Sequence, residues 1–184
     1  LSNGAVVLSE ERVIILIEEA DMLLFSLVTA VILWQEDFVQ TAGGLQQLAH
    51  YKVRIENRDG RVILTGNPAR EGHSSAWLAI DQLDLTGKEF IKIRLRVDRN
   101  RLRIRYFPFD PKRRIYLEGR RYMDTSEWLE ITIPLSDATP FPSLKFPYLL
   151  KPNQRPALYL FFENDRPGPF RIEIDRITIF RREQ

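Results

Sequence analysis

The chain has 184 residues, 44% of them hydrophobic and 28% charged, with a formal net charge of +2 and a pI near 9. That length supports one domain with an appendage, and the apolar fraction excludes a disordered polymer. With no cysteine, disulfides, thiolate-held zinc or iron–sulfur centres and a cysteine nucleophile are excluded as well.

The charge is unevenly spread. Residues 1–50 hold seven Asp/Glu and one Arg, whereas the rest holds 26 Lys/Arg against 18 Asp/Glu. The acidic part contains an apolar run, and its core, Met22 to Trp34, is thirteen residues without a charge. A helix crossing a bilayer takes about 20 apolar residues. Extending the run back to Val13 gives twenty-two but takes in Glu18, Glu19 and Asp21. Each carboxylate at mid-bilayer would cost roughly 2.5–3.5 kcal/mol, which confines the acids to the headgroup boundary or to a contact with another protein. Trp34 followed by Gln35, Glu36 and Asp37 fits an interfacial aromatic and an exit into water. The expectation is a membrane anchor within residues 1–34, mostly helical, and a separate domain over 35–184 on the extracytoplasmic side. Two other readings stay open. Val13 to Ile17 and Phe25 to Leu33 are β-branched enough to be buried strands. A secretory signal would need a basic flank, and the flank before Met22 is acidic.

From Tyr51 the period becomes two. Tyr51 to Glu56 alternates, Asn57-Arg-Asp-Gly60 supplies a turn, and Arg61 to Thr65 resumes, which predicts a hairpin. Further strands are predicted over 75–80, 90–97, 101–107, 128–133, 157–162 and 170–180, with Pro and Gly between them. No helical period follows residue 50. The predicted fold class is all-β, a two-sheet jelly-roll or β-sandwich behind the hydrophobic N-terminal segment.

Between residues 92 and 121 there are twelve Lys/Arg and three Asp/Glu. Period two puts Arg94 and Arg96 on one face of their strand, and Arg101, Arg103 and Arg105 on one face of the next. If Arg99-Asn100 closes a hairpin, the two rows share a sheet surface. Either these rows pair with Glu130, Glu173 and Asp175 on neighbouring strands, or they face an anionic partner: an acidic protein, lipid headgroups or an acidic polysaccharide. Nucleic acid fits less well, because its recognition motifs are missing and the leader is acidic. Tyr116, Tyr122 and Tyr148 are candidates for stacking on sugar rings, while Phe107, Trp128 and Phe162 suit packing. The long stretch from Pro134 to Pro156, with Phe141, Phe146 and Tyr148, is the expected docking segment.

Catalytic signals are weak. His50 and His73 lack metal-ligand spacing, His73-Ser74-Ser75 lacks a nucleophile elbow, and no glycine-rich phosphate loop appears. Glu163 and Asp165 are the least unsuitable acid pair for glycoside hydrolysis. The chain is read as non-enzymatic.

Three segments carry a resemblance. Leu83 to Val97, Thr125 to Ser136 and Phe170 to Ile179, in that order and spacing, resemble the galactose-binding-like jelly rolls of carbohydrate-binding modules. They are also similar to the sandwich of complex I assembly factors of the intermediate-associated type. Trp34 to Phe38 and Gly43-Gly44 match the opening segment of those families. No metal or cofactor is expected; the one alternative that the resemblance implies is a structural calcium ion, for which Glu36, Asp37 and Asp175 are the candidates. Two functions follow. The first is a non-catalytic, membrane-anchored accessory subunit that docks on and stabilises a larger membrane protein complex, with lipid contact through its N-terminal segment. The alternative is a carbohydrate-binding module for an envelope or matrix glycan.

Overall fold

The computed structural model describes residues 12–15, 28–38, 45–47, 53–69, 75–81, 83–113, 115–141 and 156–183. The strands in chain order are β1 (Arg12–Ile15), β2 (Val28–Glu36), β3 (Gln46–Gln47), β4 (Arg54–Arg58), β5 (Arg61–Gly66), β6 (Ser75–Ile80) and β7 (Glu89–Arg99). They continue with β8 (Leu102–Asp110), β9 (Ile115–Met123), β10 (Leu129–Pro134), β11 (Thr139–Pro140), β12 (Leu158–Asn164) and β13 (Phe170–Arg182), with one 3-10 turn at Leu135–Asp137. All pairings are antiparallel. In the seven-stranded sheet, β7 lies between β10 and β13. The first half of β13 pairs with β5, which carries β4, and its second half pairs with β2, which carries β1. The six-stranded sheet runs β11-β9-β8-β12-β6-β3.

Strand alternation explains why the two sheets close on each other. Ile91, Ile93, Leu95 and Val97 of β7 and Ile172, Ile174, Ile177 and Ile179 of β13 are buried against Leu102, Ile104 and Tyr106 of β8 and Leu158, Leu160 and Phe162 of β12. Each strand turns one row inward and the other outward, so a core forms between two layers. The spacing from Ile174 to Ile177 breaks the period of two. The ladder to β7 absorbs it with a bulge, for Ile174 faces Leu95, Arg176 faces Arg94, and Asp175 is the additional residue.

The expected hairpin at residues 57–60 forms. Arg58 faces Arg61 across the two-residue turn Asp59-Gly60, with φ of 54° and 71°, the left-handed pair that matches strand twist.

The expected membrane helix is corrected. Val28–Glu36, inside the run assigned to the anchor, is a strand paired to β1 on one side and β13 on the other, and Leu33 and Trp34 pack against the main core. A strand inside a sheet and covered on a face reads as a continuous apolar run, which hydropathy alone does not separate from a short span. Among the described residues no helix is long and apolar enough to cross a membrane. The sheet therefore reaches back across the expected boundary at residue 34.

The hairpin expected at Arg99-Asn100 is corrected too. β7 pairs with β10 and β13, while β8 pairs with β9 and β12, so the corner carries the chain from one sheet to the other. Asn100 makes the corner at φ 76°, accepting the Arg101 N–H at 2.7 Å and donating to the Arg166 carbonyl at 2.9 Å. A hairpin and a crossing both bury Leu95, Val97, Leu102 and Ile104, so the apolar pattern does not choose between them.

Candidate functional site

That crossing divides the arginine rows. Arg94 and Arg96 stand on the outer face of the seven-stranded sheet, and Arg103 and Arg105 on the outer face of the six-stranded one, with the core between. The two surfaces differ in kind.

On the six-stranded sheet, β12 is buried along its whole length. Leu158, Leu160 and Phe162 point to the main core, while Tyr159 and Phe161 join Phe107 and Tyr116 in a second aromatic cluster on the other side, flanked by Trp77, Ala79 and Phe109. Phe107 meets Phe161 and Phe141 edge-on, at centroid distances of 5.5 and 6.0 Å. Beyond these rings the face becomes polar. Arg103 pairs with Glu163 at 2.9 Å, Arg105 bridges Glu118 at 2.9 Å and Glu163 at 3.5 Å, and Arg120 reaches Glu118 at 2.7 Å. This lattice ties β12, β8 and β9 together. Tyr122 pairs in register with Arg103, its ring lies 4.6 Å from the Arg101 guanidinium, and it is 43% exposed. Arg101 in turn pairs with Asp165 at 3.6 Å.

The lattice is set for holding rather than for proton transfer. Burial alone would raise the Glu118 pKa, but the Arg120 hydrogen bond and the Arg105 charge outweigh it and leave the carboxyl below its ordinary value. A general acid needs the opposite shift. Glu163 is held by two guanidiniums, and Asp165 by Arg101.

On the seven-stranded sheet, Arg94 pairs with Asp175 at 3.0 Å, Arg96 with Glu173 at 2.7 Å and Lys92 with Glu130 at 2.9 Å, the cross-strand partners expected from alternation. Trp128 belongs to this outer face and not to the core. Its ring lies 5.0–5.5 Å from the guanidinium carbons of Arg61, Arg96 and Arg94.

Among the proposed stacking tyrosines, Tyr122 is exposed. Tyr116 is buried, and its hydroxyl donates to the Pro156 carbonyl at 2.9 Å. Tyr148 and Phe146 lie outside the described residues, as do His50 and His73. Phe141 packs on Phe107, and its N–H donates to the Tyr116 carbonyl at 3.4 Å, so both described ends of the docking segment are fastened at Tyr116. Phe107 and Phe162 are core residues, as expected of packing aromatics. Of the calcium candidates, Glu36 and Asp175 already have partners. Glu36 accepts the Phe38 N–H at 3.0 Å and Asp175 is held by Arg94, and no group of three or more His, Asp or Glu suited to a metal occurs among the described residues. Sequence reasoning overlooked Trp77 and Glu118, and placed Arg120 in a loop rather than on β9. Alternation in Ser75–Ile80 marked Trp77 as facing away from Ala76 and Leu78, which was signal enough to find it.

No protein-family model matches the chain, and no curated protein does. Among solved structures it is similar to a carbohydrate-binding module of family 28 described as specific for non-crystalline cellulose, at 13% identity over 81% of this chain and 93% of that one, TM-score 0.49. It is also similar to the apo CBM1 module of BiXyn10A, at 14% identity over 80% and 96%, TM-score 0.49. A third similarity is to the CBM22-1–GH10 modules of Clostridium thermocellum endo-1,4-beta-D-xylanase 10B, at 13% identity over 79% of this chain and 28% of that one, TM-score 0.47. At such identities the likeness concerns shape and carries nothing about a ligand; the two-sheet architecture stands on its own pairings.

Proposed function

We propose that the protein is a non-catalytic carbohydrate-binding module that holds a neutral glycan on the outer face of its six-stranded sheet. One observation carries this reading: Tyr122 presents an exposed ring beside an arginine–glutamate lattice already fixed by its own ion pairs. A sugar offers a flat apolar face edged with hydroxyls. Tyr122 suits the flat face, while the guanidiniums of Arg101 and Arg120 and the carboxylate oxygens suit the hydroxyls. Because the lattice is assembled before any ligand arrives, binding costs little side-chain ordering. The exposed part, Tyr122 with Arg101 and Arg120, is where the chain of sugars would enter. The accessory-subunit reading loses its main support with the anchor, because Val28–Glu36 belongs to the sandwich.

Affinity electrophoresis in gels containing hydroxyethylcellulose, xylan or mannan tests the proposal. Wild type is expected to be retarded by at least one polymer, and Tyr122→Ala to lose about tenfold in affinity, a difference of about 1.4 kcal/mol. Retardation by none of them, or retardation unchanged in Tyr122→Ala, would refute it.

A further inference from the structure

The other outer face has a different charge balance. On the six-stranded sheet, Arg101, Arg103, Arg105 and Arg120 are set against Glu118, Glu163 and Asp165. On the seven-stranded sheet the register brings six arginines to one region. Arg99 faces Arg171 and Arg176 faces Arg94, with Arg96 and Arg61 beside them. Three carboxylates, Asp98, Glu173 and Asp175, are available to those six. Glu173 is shared by Arg96 and Arg171, at 2.7 and 2.8 Å, and Asp175 is taken by Arg94. Asp98 acts on Arg96 through its charge. Arg61, Arg99 and Arg176 are exposed and make no ion pair among the described residues. Elsewhere on the face Lys92 with Glu130 and Arg54 with Glu56 balance each other.

The geometry points to a second binding surface on this face, centred on Trp128 and its arginines, whose ligand is a linear glycan bearing carboxylates, a polyuronate. Three features select that class. The region has no large exposed apolar anchor near Trp128 other than Leu129, since Tyr122 and Leu129 are the exposed large hydrophobics among the described residues, so it lacks the apolar centre of a protein interface. Carboxylates are set among the arginines: on β13 Glu173 and Asp175 lie between Arg171 and Arg176, and on β7 Asp98 follows Arg94 and Arg96. A continuous negative surface, such as an anionic bilayer or a duplex backbone, would press against those acids, whereas a polymer with one anion per repeat meets the arginines between them. The guanidinium fork matches a planar carboxylate with two parallel hydrogen bonds. The indole, held at 5.0–5.5 Å by three guanidiniums, gives the sugar ring a flat neighbour when those side chains turn to the ligand.

This surface is separate from the Tyr122 face, and the two fail independently. The test is affinity electrophoresis of the whole chain in polygalacturonate and in the same polymer with its carboxylates methyl-esterified. Retardation is expected in the acid form only, and is expected to vanish at about 1 M salt, where the Debye length is about 3 Å. Arg61→Gln combined with Arg176→Gln, two exposed positions outside the ion pairs among the described residues, is expected to weaken it about tenfold. Tyr122→Ala is expected to leave it unchanged. Equal retardation by both forms, no retardation by polygalacturonate, loss on Tyr122→Ala, or binding to phosphatidylserine vesicles without binding to polygalacturonate would each overturn the assignment.

Discussion

Glu89 is buried, yet all its acceptor capacity is used. It takes the Thr86 N–H at 3.0 Å, the Thr86 hydroxyl at 2.7 Å, the Gly87 N–H at 2.8 Å and the Arg181 guanidinium at 2.6 and 2.9 Å. The bonds clasp the turn before β7, where Gly87 sits at φ 84°, to the end of β13. Burial alone would raise its pKa; the bonds from Thr86 and Arg181 outweigh burial and bring it below the ordinary value. The folded pKa is thus the lower one, so the stabilisation is fully present above the unfolded value of about 4.3 and is lost as the pH falls through the folded value. Glu89→Gln turns an N–H toward existing donors and is predicted to cost roughly 2–4 kcal/mol at neutral pH, read from urea midpoints, with a shallower acid limb. Gly119 makes a second sharp prediction. A Cβ there would lie 1.9 Å from Cζ of Tyr106 in the core, so Gly119→Ala is predicted to destabilise by about 3 kcal/mol or to abolish folding. The Tyr106 hydroxyl is buried with no hydrogen-bond partner among the described residues, and Tyr106→Phe is predicted to be neutral or stabilising within about 1 kcal/mol. A large loss of melting temperature in Tyr106→Phe would show that the hydroxyl has a partner after all.

Among the elements, β13 shows how much rests on one added residue. Asp175 restores the inward direction of Ile177 and Ile179 after Ile174. Deleting Asp175 shifts one half of the strand to the wrong face, and circular dichroism is predicted to show an unfolded chain. Asp175→Ser keeps the bulge and loses one part-exposed ion pair, predicted to cost under about 1 kcal/mol. A folded deletion variant would mean that the bulge is dispensable. The three segments that carried the sequence resemblance prove structural at this scale: Thr86-Gly87-Glu89 is the clasp, Trp128 lies under arginines, and Asp175 makes the bulge. The alternating strands and the turn at Asp59-Gly60 were legible because period two and left-handed turn residues are local signals. β2 was not, because an apolar strand and a short membrane span share a hydropathy profile. Nor was β9, where Glu118, Gly119, Arg120 and Arg121 interrupt the apolar rhythm and gain their places only from β8, Tyr106 and Asp137. The Arg–Glu pairs were foreseeable as types; which sheet each row faces depended on the corner at Asn100.

Over the whole molecule, one sandwich presents two unlike surfaces, one nearly balanced in charge with an exposed tyrosine and one with an excess of arginine. Glu118 and Glu173 behave as Glu89 does: burial opposes ionisation, and hydrogen bonds from Arg120, Arg96 and Arg171 together with nearby arginine charge override it, so both carboxyls lie below the ordinary value. The protein is therefore most vulnerable on the acid side, where ties between strands of both sheets come undone as these groups take up protons. The central claim is that the Tyr122 face holds a neutral glycan, and the most direct test is calorimetric titration of hydroxyethylcellulose, xylan and mannan into wild type, Tyr122→Ala and Trp128→Ala. Binding of at least one polymer by wild type and Trp128→Ala, with loss in Tyr122→Ala, is the predicted result. No heat with any polymer, or loss in Trp128→Ala with Tyr122→Ala intact, would contradict it.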